Sequence, residues 1–201
     1  MDGGRGDDWC GTAVKLAVAG VLAPFVLVLV IGAAWAPSPR PSAPGPGTFP
    51  SDLPAAAQPF AGRSTSCSVP DPTGTGGCVT PATAWLLYEL GRAFGPMPTS
   101  CWDEHAWNPS SDHPRGRGCD ITFGRLGEFP DQPQVDRGWL VATWLQVNAA
   151  ALRVRYLIWQ GRIWHARRAD AGWLPYGGGG VYDPSDPTGG HYDHIHVSTN
   201  T

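Results

Sequence analysis

The sequence predicts an α+β fold preceded by one transmembrane helix. Two observations lead to this prediction. An uncharged apolar run lies near the N-terminus, and helix-like and strand-like patterns alternate after it, as expected for a small sheet with helices. The 201 residues then divide into four parts. These are a short cytoplasmic tail (1–15), a membrane span (16–36), a proline-rich linker (37–66) and a folded domain (67–201).

The composition places a packed core and an extended segment in different parts of the chain. The 27 glycines and 21 prolines make up about a quarter of the residues, which is typical of linkers. Ten tryptophans and a charged fraction of only 15% indicate a core elsewhere. The formal net charge of −3 provides no basic surface for a phosphate backbone, so no nucleic-acid partner is predicted.

The apolar run over residues 16–36 is long enough to cross a bilayer. A single proline, Pro24, is tolerated in such a helix. A cleaved signal peptide is the alternative, because the sequence Ala34-Trp35-Ala36 fits a small-x-small cleavage site. The length favours a retained anchor, with the C-terminal domain outside the cell. Eight prolines in residues 37–60 then predict a semi-extended spacer.

Cysteine usage supports the extracellular placement. Four cysteines follow the predicted span, and an even number fits disulfides in an oxidising compartment. We favour the pairs Cys67–Cys78 and Cys101–Cys119, since the first pair closes a turn-rich loop. Four cysteines allow three connectivities, and the sequence does not choose among them. A zinc site made of all four cysteines is disfavoured, because no C-x2-C spacing occurs.

Two helices are predicted in the domain. Thr80 and Pro81 form an N-cap followed by proline at the first helical position, and Gly95 ends the helix. Apolar residues recur at helical spacing between them. A second helix is predicted over residues 138–152, where apolar side chains again fall near one face.

Strands are predicted over residues 119–123, 154–160 and 194–198, where aromatic and β-branched residues accumulate. The glycine run 177–180 and the Pro/Gly/Asp-rich stretch after it predict a surface loop near a site.

The candidate chemistry lies in the segments 111–120 and 191–196. His194 and His196 are two residues apart on a predicted strand, so they can face one cavity. His113 and Asp120 can join them if the intervening loop turns back. Two imidazoles and a carboxylate suit Zn²⁺ and leave a fourth position open for water. A hydrogen-bonded polar cluster without metal is the alternative interpretation.

These two segments resemble motifs of the D-alanyl-D-alanine metallopeptidases and of the wider superfamily that includes lysostaphin-type endopeptidases and the hedgehog domain. Ser111, His113, Gly116 and Asp120 match the signature S-x-H-x-x-G-x-A-x-D, with Gly118 at the usual alanine. The second segment resembles the late acidic-x-x-His, or H-x-H, of this superfamily. Its His-x-x-His-x-His at 191, 194 and 196 is similar to the penicillin-insensitive murein endopeptidase branch. Residues 67–201 also resemble an extracellular actinobacterial group with CxVPDPTGTGGCxTP, SDHPxGRxxD and HYDHxHVS. The resemblance implies a small antiparallel sheet with flanking helices.

The resemblance implies that His113, Asp120 and His196 bind zinc and that Asp193 acts as the general base. His194 is the rival, either as the base or as a donor to the oxyanion. In a regular strand Asp193 would face away from His194 and His196, so its role requires a turn or bulge at Tyr192–Asp193.

Three further residues, Ser111, His191 and Arg117, are candidates for substrate binding. Ser111 can equally cap the loop, and His191 can equally be an exposed loop residue. Asp112 is expected to be a solvated charge, and His105 has no partner at a useful spacing. An arginine that many relatives carry before the first metal histidine is missing from residues 98–102.

The resemblance therefore implies a zinc peptidase acting on the peptides of peptidoglycan, and the predicted span and the cysteines place it, membrane-anchored, outside the cell. The alternative is a non-catalytic wall-binding or signalling module with a structural zinc, since the same fold serves both purposes. A metal-free anchor protein is a third interpretation.

Overall fold

A computed structural model of the chain describes residues 53–200. These residues form a mixed α and β structure, as the sequence predicts. The helices are α1 (Pro81–Phe94), α2 (Gln132–Val147) and α3 (Ala149–Leu152). The strands are β1 (Val69–Pro70), β2 (Cys78–Val79), β3 (Thr99–Ser100), β4 (Gly118–Thr122), β5 (Val154–Trp159), β6 (Arg162–His165), β7 (Leu174–Pro175) and β8 (His194–Thr199).

Helix α1 begins and ends where the sequence predicts. The Thr80 side chain accepts a hydrogen bond from the backbone N–H of Thr83, and Pro81 occupies the first helical position. Gly95 follows the helix with a φ of 77°, and its N–H bonds to the carbonyl of Gly91. On the apolar face of α1, Leu86 and Leu90 are buried in the core, while Leu87 and Phe94 are partly buried against it.

The second predicted helix is wrong in its bounds. Helix α2 begins at Gln132 rather than at residue 138, because Asp131 and Gln134 form a capping box that starts it earlier. It ends at Val147, and Asn148 separates it from the single turn α3. The apolar pattern used for the prediction thus marks the buried part of α2 plus α3, not one helix.

The main sheet of the described residues is antiparallel, with the strand order β3-β4-β8-β5-β6-β7. The three predicted strands are present as β4, β5 and β8. Strand β4 is shifted by one residue at both ends, while β5 and β8 each differ by one residue at the C-terminal end. The short strands β1, β2, β3, β6 and β7 were not predicted. Strand β6 follows β5 through Gln160 and Gly161, both with positive φ, as in a type I′ hairpin turn.

The two faces of this sheet differ in chemistry. Ile121 of β4, Val197 of β8 and Leu157 of β5 are fully or almost fully buried and share one core cluster with residues of α2. Because side chains alternate along a strand, the residues between them point to the other face. Asp120 and His196 lie there, directly opposite each other. The core thus occupies one side of the sheet and the candidate site occupies the other.

Two disulfides lie in the described part, and they are the favoured pairs Cys67–Cys78 and Cys101–Cys119. The first links the strand pair β1–β2 across the turn-rich loop. The second joins the segment after β3 to β4, and both of its cysteines are fully buried.

The chain before Cys67 packs against the helices. Ala57 is buried, its N–H donates to the side chain of Asn148, and the N–H of Phe60 donates to the carbonyl of Ala151. The indole of Trp85 donates to the carbonyl of Gln58. Part of the segment predicted as linker is therefore held on the domain.

The predicted tail, the predicted membrane span 16–36 and the first part of the linker lie outside the described residues. Within residues 53–200, no helix combines the length and the apolar character that crossing a bilayer requires.

Candidate metal centre

Three elements bring the predicted metal ligands together. His113 begins a short 3₁₀ turn, His113–Arg115, while Asp120 lies on β4 and His196 lies opposite it on β8. His196 Nδ1 is 2.9 Å from Asp120 Oδ1, and His113 Nε2 is 3.3 Å from Asp120 Oδ2 and 3.2 Å from His196 Nδ1. One ligand atom from each residue lies within 4.8 Å of the others, so this group could hold a metal ion.

Two glycines allow the His113 loop to reach β4 and β8. Gly116 has a φ of 64°, and a Cβ there would lie 2.6 Å from the backbone of Cys78 and Val79. At Gly118 a Cβ would lie 3.1 Å from the His113 nitrogen and from His196 Cε1. A Cβ at position 118 would therefore require His113 or His196 to shift by a few tenths of an ångström.

Backbone contacts set the orientation of the His113 ring. Its Nδ1–H donates to the carbonyl oxygen of Cys101, which leaves Nε2 facing Asp120. A second ring nitrogen bonded in this way fixes the tautomer of a ligating histidine. Because Cys101 is bonded to Cys119, the residue before Asp120, this disulfide connects the orienting carbonyl to the ligand strand.

A buried carboxylate orients His196 through Ser198. His196 Nε2 lies 3.4 Å from Ser198 Oγ, and this hydroxyl donates to Asp112 Oδ2 at 2.7 Å. The ring of Tyr156 stacks on His196, with centroids 5.4 Å apart, and its hydroxyl also donates to Asp112. The expectation that Asp112 is solvated is wrong, because only 3% of it is exposed and Arg155 pairs with it.

The two candidates for the general base contact each other. His194 Nδ1–H donates to Asp193 Oδ1 at 2.6 Å, while His194 Nε2 lies 3.7 Å from Asp120 Oδ1. Asp193 is fully buried, and its second oxygen accepts from Thr188 Oγ1 and from the N–H of Gly127, each at 2.7 Å. Strand β8 begins only at His194, and the Tyr192–Asp193 backbone turns there, with both N–H groups on the carbonyl of Pro187.

Charges within the cluster favour an ionised Asp120. Burial opposes this, but the neighbouring His194 and His113 hold the pKa of Asp120 well below its usual range. For His194, burial alone would lower the pKa. The neighbouring carboxylates Asp120 and Asp193 outweigh this effect, so the pKa of His194 is raised. For His191 burial dominates, and His194 and His196 add to it, so its pKa is lowered. The cluster thus combines an acceptor carboxylate with imidazoles of unequal basicity.

The proposed substrate-binding residues lie in different places. Ser111 lines the cleft above the cluster, and its Oγ accepts a hydrogen bond from the N–H of His113. His191 is 7% exposed and lies between Tyr176 and His194, with ring centroids 5.0 and 4.6 Å away. Arg117 faces Asp112 at 3.5 Å and is not among the side chains that line the cleft.

One further histidine reaches the cluster without any signal in the sequence. His105 stacks on His113 with centroids 4.7 Å apart and an angle of 9° between the ring planes. Its ring also pairs with Asp103 at 2.9 Å. No spacing rule connects residues 105 and 113, because the loop between them is irregular. The sequence shows that Asp112 is next to His113, but it does not show that Asp112 is buried, because this burial comes from contacts with β5 and β8.

The cluster lies at the bottom of a cleft of about 450 Å³. One wall comes from the segment 100–111, and the other comes from β5, β6 and the segment 176–182. Asn108 and Tyr182 connect the two walls, since the Asn108 amide donates to the tyrosine hydroxyl at 3.2 Å. The cleft is therefore large enough for part of a peptide and leads to the three candidate ligands.

A family model described as VldE, C-terminal domain, matches residues 75–192. The matched residues include His113 and Asp120 and end before His194 and His196. No curated protein and no solved structure matches the chain.

Proposed function

This chain belongs to the family of the VldE C-terminal domain, and from the His113–Asp120–His196 cluster we propose that this member is a zinc-dependent peptidase. Its substrate is the peptide part of peptidoglycan, either a stem peptide or a cross-link. The convergence of two imidazoles and one carboxylate at the base of a cleft carries the proposal. The motif resemblance to D-alanyl-D-alanine metallopeptidases supports the substrate class.

The donor set fits zinc. Two nitrogen ligands and one carboxylate leave a position open in a tetrahedral site, as in catalytic zinc centres. The second nitrogen of each imidazole already has a partner, Cys101 for His113 and Ser198 for His196. When bound, zinc supplies Lewis acidity that polarises a scissile carbonyl and acidifies water.

His194 is the better placed of the two candidates for the general base. Its Nε2 side faces Asp120, whereas both oxygens of Asp193 already accept hydrogen bonds and the residue is fully buried. His194 takes the proton of the attacking water as the new C–O bond forms. It then delivers this proton to the leaving nitrogen as the C–N bond breaks. Asp193 holds the Nδ1–H of His194 and stabilises the imidazolium.

The predicted location completes the proposal. The anchor over residues 16–36 would hold the domain at the membrane, and the two disulfides fit an oxidising compartment outside the cytoplasm. Peptidoglycan is accessible from that side.

Zinc content and hydrolysis test the proposal together. We expect the full chain to retain one zinc by elemental analysis and to release new amine ends from purified peptidoglycan. His113→Ala and His196→Ala should lose most of the metal, whereas His194→Gln should keep it and lose turnover. His165→Ala, outside the cleft lining, is the matched control. Less than about half an equivalent of zinc in folded protein would contradict a tight three-ligand site.

The same incubation separates the enzyme from a wall-binding module. Retention on peptidoglycan without any new amine ends, in protein that carries zinc, would favour the non-catalytic alternative.

A further inference from the structure

The floor of the cleft is a row of side chains that crosses the sheet. Paired residues of antiparallel strands have side chains on the same face, so the strand register defines this row. From β3 to β6 it consists of Ser100, Asp120, His196, Ile158 and Ile163. The two ligands Asp120 and His196 lie inside the row rather than at its end.

The row continues on both sides of the ligand pair. Neighbouring strands lie about 4.8 Å apart, so Ser100 is about 5 Å from Asp120 on one side. Ile163 is about 10 Å from His196 on the other side by the same spacing. An extended peptide advances about 3.3 Å per residue, so the second distance accommodates about three residues. The floor therefore extends to both sides of the two ligands Asp120 and His196.

The β5–β6 side of the floor is apolar. Ile158 is 5% exposed, and Ile163 lies beside it, with Tyr156 and Tyr176 also lining the cleft. A hydrophobic side chain placed here would lose water contact without meeting an unpaired charge. This side favours an apolar residue next to the cleaved bond.

The β3 side is polar, and a bound anion would meet no lysine or arginine side chain of the described residues there. Within residues 53–200, no lysine or arginine side chain lines the cleft. Asp103 lines the cleft on this side, and half of its side chain is exposed. A free terminal carboxylate placed near Ser100 would therefore find no lysine or arginine side chain in this part of the chain to pair with and would lie near the carboxylate of Asp103.

We propose that the cleft takes an interior peptide bond, with an apolar side chain over Ile158–Ile163, and excludes a C-terminal carboxylate next to the cleaved bond. Under this proposal, which rests on the peptidase function above, the protein is an endopeptidase rather than a carboxypeptidase.

Two peptides that differ in one group test this inference. Both contain the same cleaved bond, and the residue after this bond ends in a free carboxylate in one peptide and in an amide in the other. With the full, zinc-loaded chain we expect kcat/KM to be at least about tenfold higher for the amide. Equal rates, or faster cleavage of the carboxylate peptide, would overturn the proposal.

A matched pair of variants tests the cause of this preference. Ser100→Arg places a cation beside Asp120 and should bring the amide-to-carboxylate ratio down towards one. Ser100→Gln adds comparable bulk without charge and should leave the ratio high. The proposal fails if the glutamine variant removes the preference as completely as the arginine variant does.

Binding separates failure of the inference from failure of the proposed function. The affinity of both peptides for zinc-loaded His194→Gln protein can be measured by tryptophan fluorescence, because Trp107 lines the cleft and is 64% exposed. Tighter binding of the amide peptide supports the inference even if no peptide is cleaved. Absence of cleavage would count only against the proposed peptidase activity. Tighter binding of the carboxylate peptide overturns the inference.

Discussion

Single residues allow the loop that carries His113 to adopt its conformation. Gly116 combines a positive φ with contact to the backbone at Cys78 and Val79, and its carbonyl accepts from the N–H of Thr80. Asp71 performs a similar task for the disulfide loop. Its two oxygens accept hydrogen bonds from Thr73, Thr75 and the backbone of Trp102. Gly116 and Asp71 therefore fix the backbone near the cluster, and neither is a candidate metal ligand.

Replacing Gly116 by alanine should destabilise the fold by more than about 2 kcal/mol, since a strained φ and an unavoidable backbone clash add together. Gly74→Ala is the matched control, because Gly74 has a φ of 79° and a Cβ there would have nothing within 4 Å. It should lose only about 1 kcal/mol. Urea unfolding of the two variants measures the difference, and equal losses would refute the steric explanation.

Asp71→Asn should lower the free energy of unfolding at pH 7 by about 2 kcal/mol, because the carboxylate accepts several hydrogen bonds as an anion. Burial alone would raise the pKa of Asp71, but the donors Thr75, Trp102 and Thr73 outweigh it and lower this pKa. A lowered folded pKa stabilises the protein above the unfolded value near 3.9, and this stabilisation is lost as the pH falls through the folded value.

The difference between wild type and Asp71→Asn should therefore be constant from pH 5 to pH 8 and should shrink below about pH 4. Urea titrations at several pH values measure it. A difference that grows on acidification would reverse the sign we derive.

At the scale of elements, the three candidate ligands come from one loop, which carries His113, and from the two adjacent strands β4 and β8. Strand β8 lies between β4 and β5, so His196 occupies the middle of the sheet. The loop that carries His113 is tied down by one disulfide on each side. Cys67 packs beneath Gly116, and Cys101 provides both the orienting carbonyl and a covalent bond to β4.

Removing the Cys101–Cys119 disulfide should weaken zinc binding at least about tenfold, because the carbonyl that orients His113 is then less firmly held. The double variant Cys101→Ser/Cys119→Ser can be compared with Cys67→Ser/Cys78→Ser. The second variant removes a disulfide that is bonded neither to Cys101 nor to the residue before Asp120. Competition with a chromogenic chelator gives both affinities in protein shown to be folded by circular dichroism. Equal losses in the two variants would mean that the Cys101 carbonyl has no specific effect, since the Cys67–Cys78 bond also contacts the His113 loop at Gly116.

For the whole molecule, a metal at this centre would cross-link segments that are 76 and 83 residues apart in sequence, as the contacts of His196 with Asp120 and His113 show. A ligand that binds only the folded state stabilises it in proportion to its affinity and concentration. The thermal stability of the protein should therefore report metal binding independently of any hydrolysis.

Zinc at 100 times its Kd should add about 2.7 kcal/mol to the free energy of unfolding. For a chain of this size we expect Tm to rise by about 5–10 °C. Differential scanning fluorimetry with zinc and with a chelator measures the change, and His196→Ala should show almost none. A similar rise in that variant would indicate that zinc binds elsewhere.

Local signals predicted the elements whose causes lie within a few residues. The cap at Thr80-Pro81 and the stop at Gly95 set α1, and the alternation of His194 and His196 brought both imidazoles against Asp120. The short turn-rich loop between Cys67 and Cys78 favoured the observed cysteine pairing, although the sequence itself allows three connectivities. By contrast, the apolar pattern does not predict the start of α2, because the capping box of Asp131 and Gln134 begins the helix at Gln132 instead of residue 138.

Residue types and spacing alone indicate that His113, Asp120, His194 and His196 can meet around a metal, since ligand chemistry and strand periodicity are local properties. The motif resemblance reduces this set to His113, Asp120 and His196. Tertiary structure decides the rest: that Asp120 lies opposite His196, that Asp112 is buried behind them, that His105 joins the cluster and that residues before Cys67 pack on the helices. These arrangements depend on strand register and on contacts between segments far apart in the chain. Their energies come from packing and pairing that no short stretch of sequence contains.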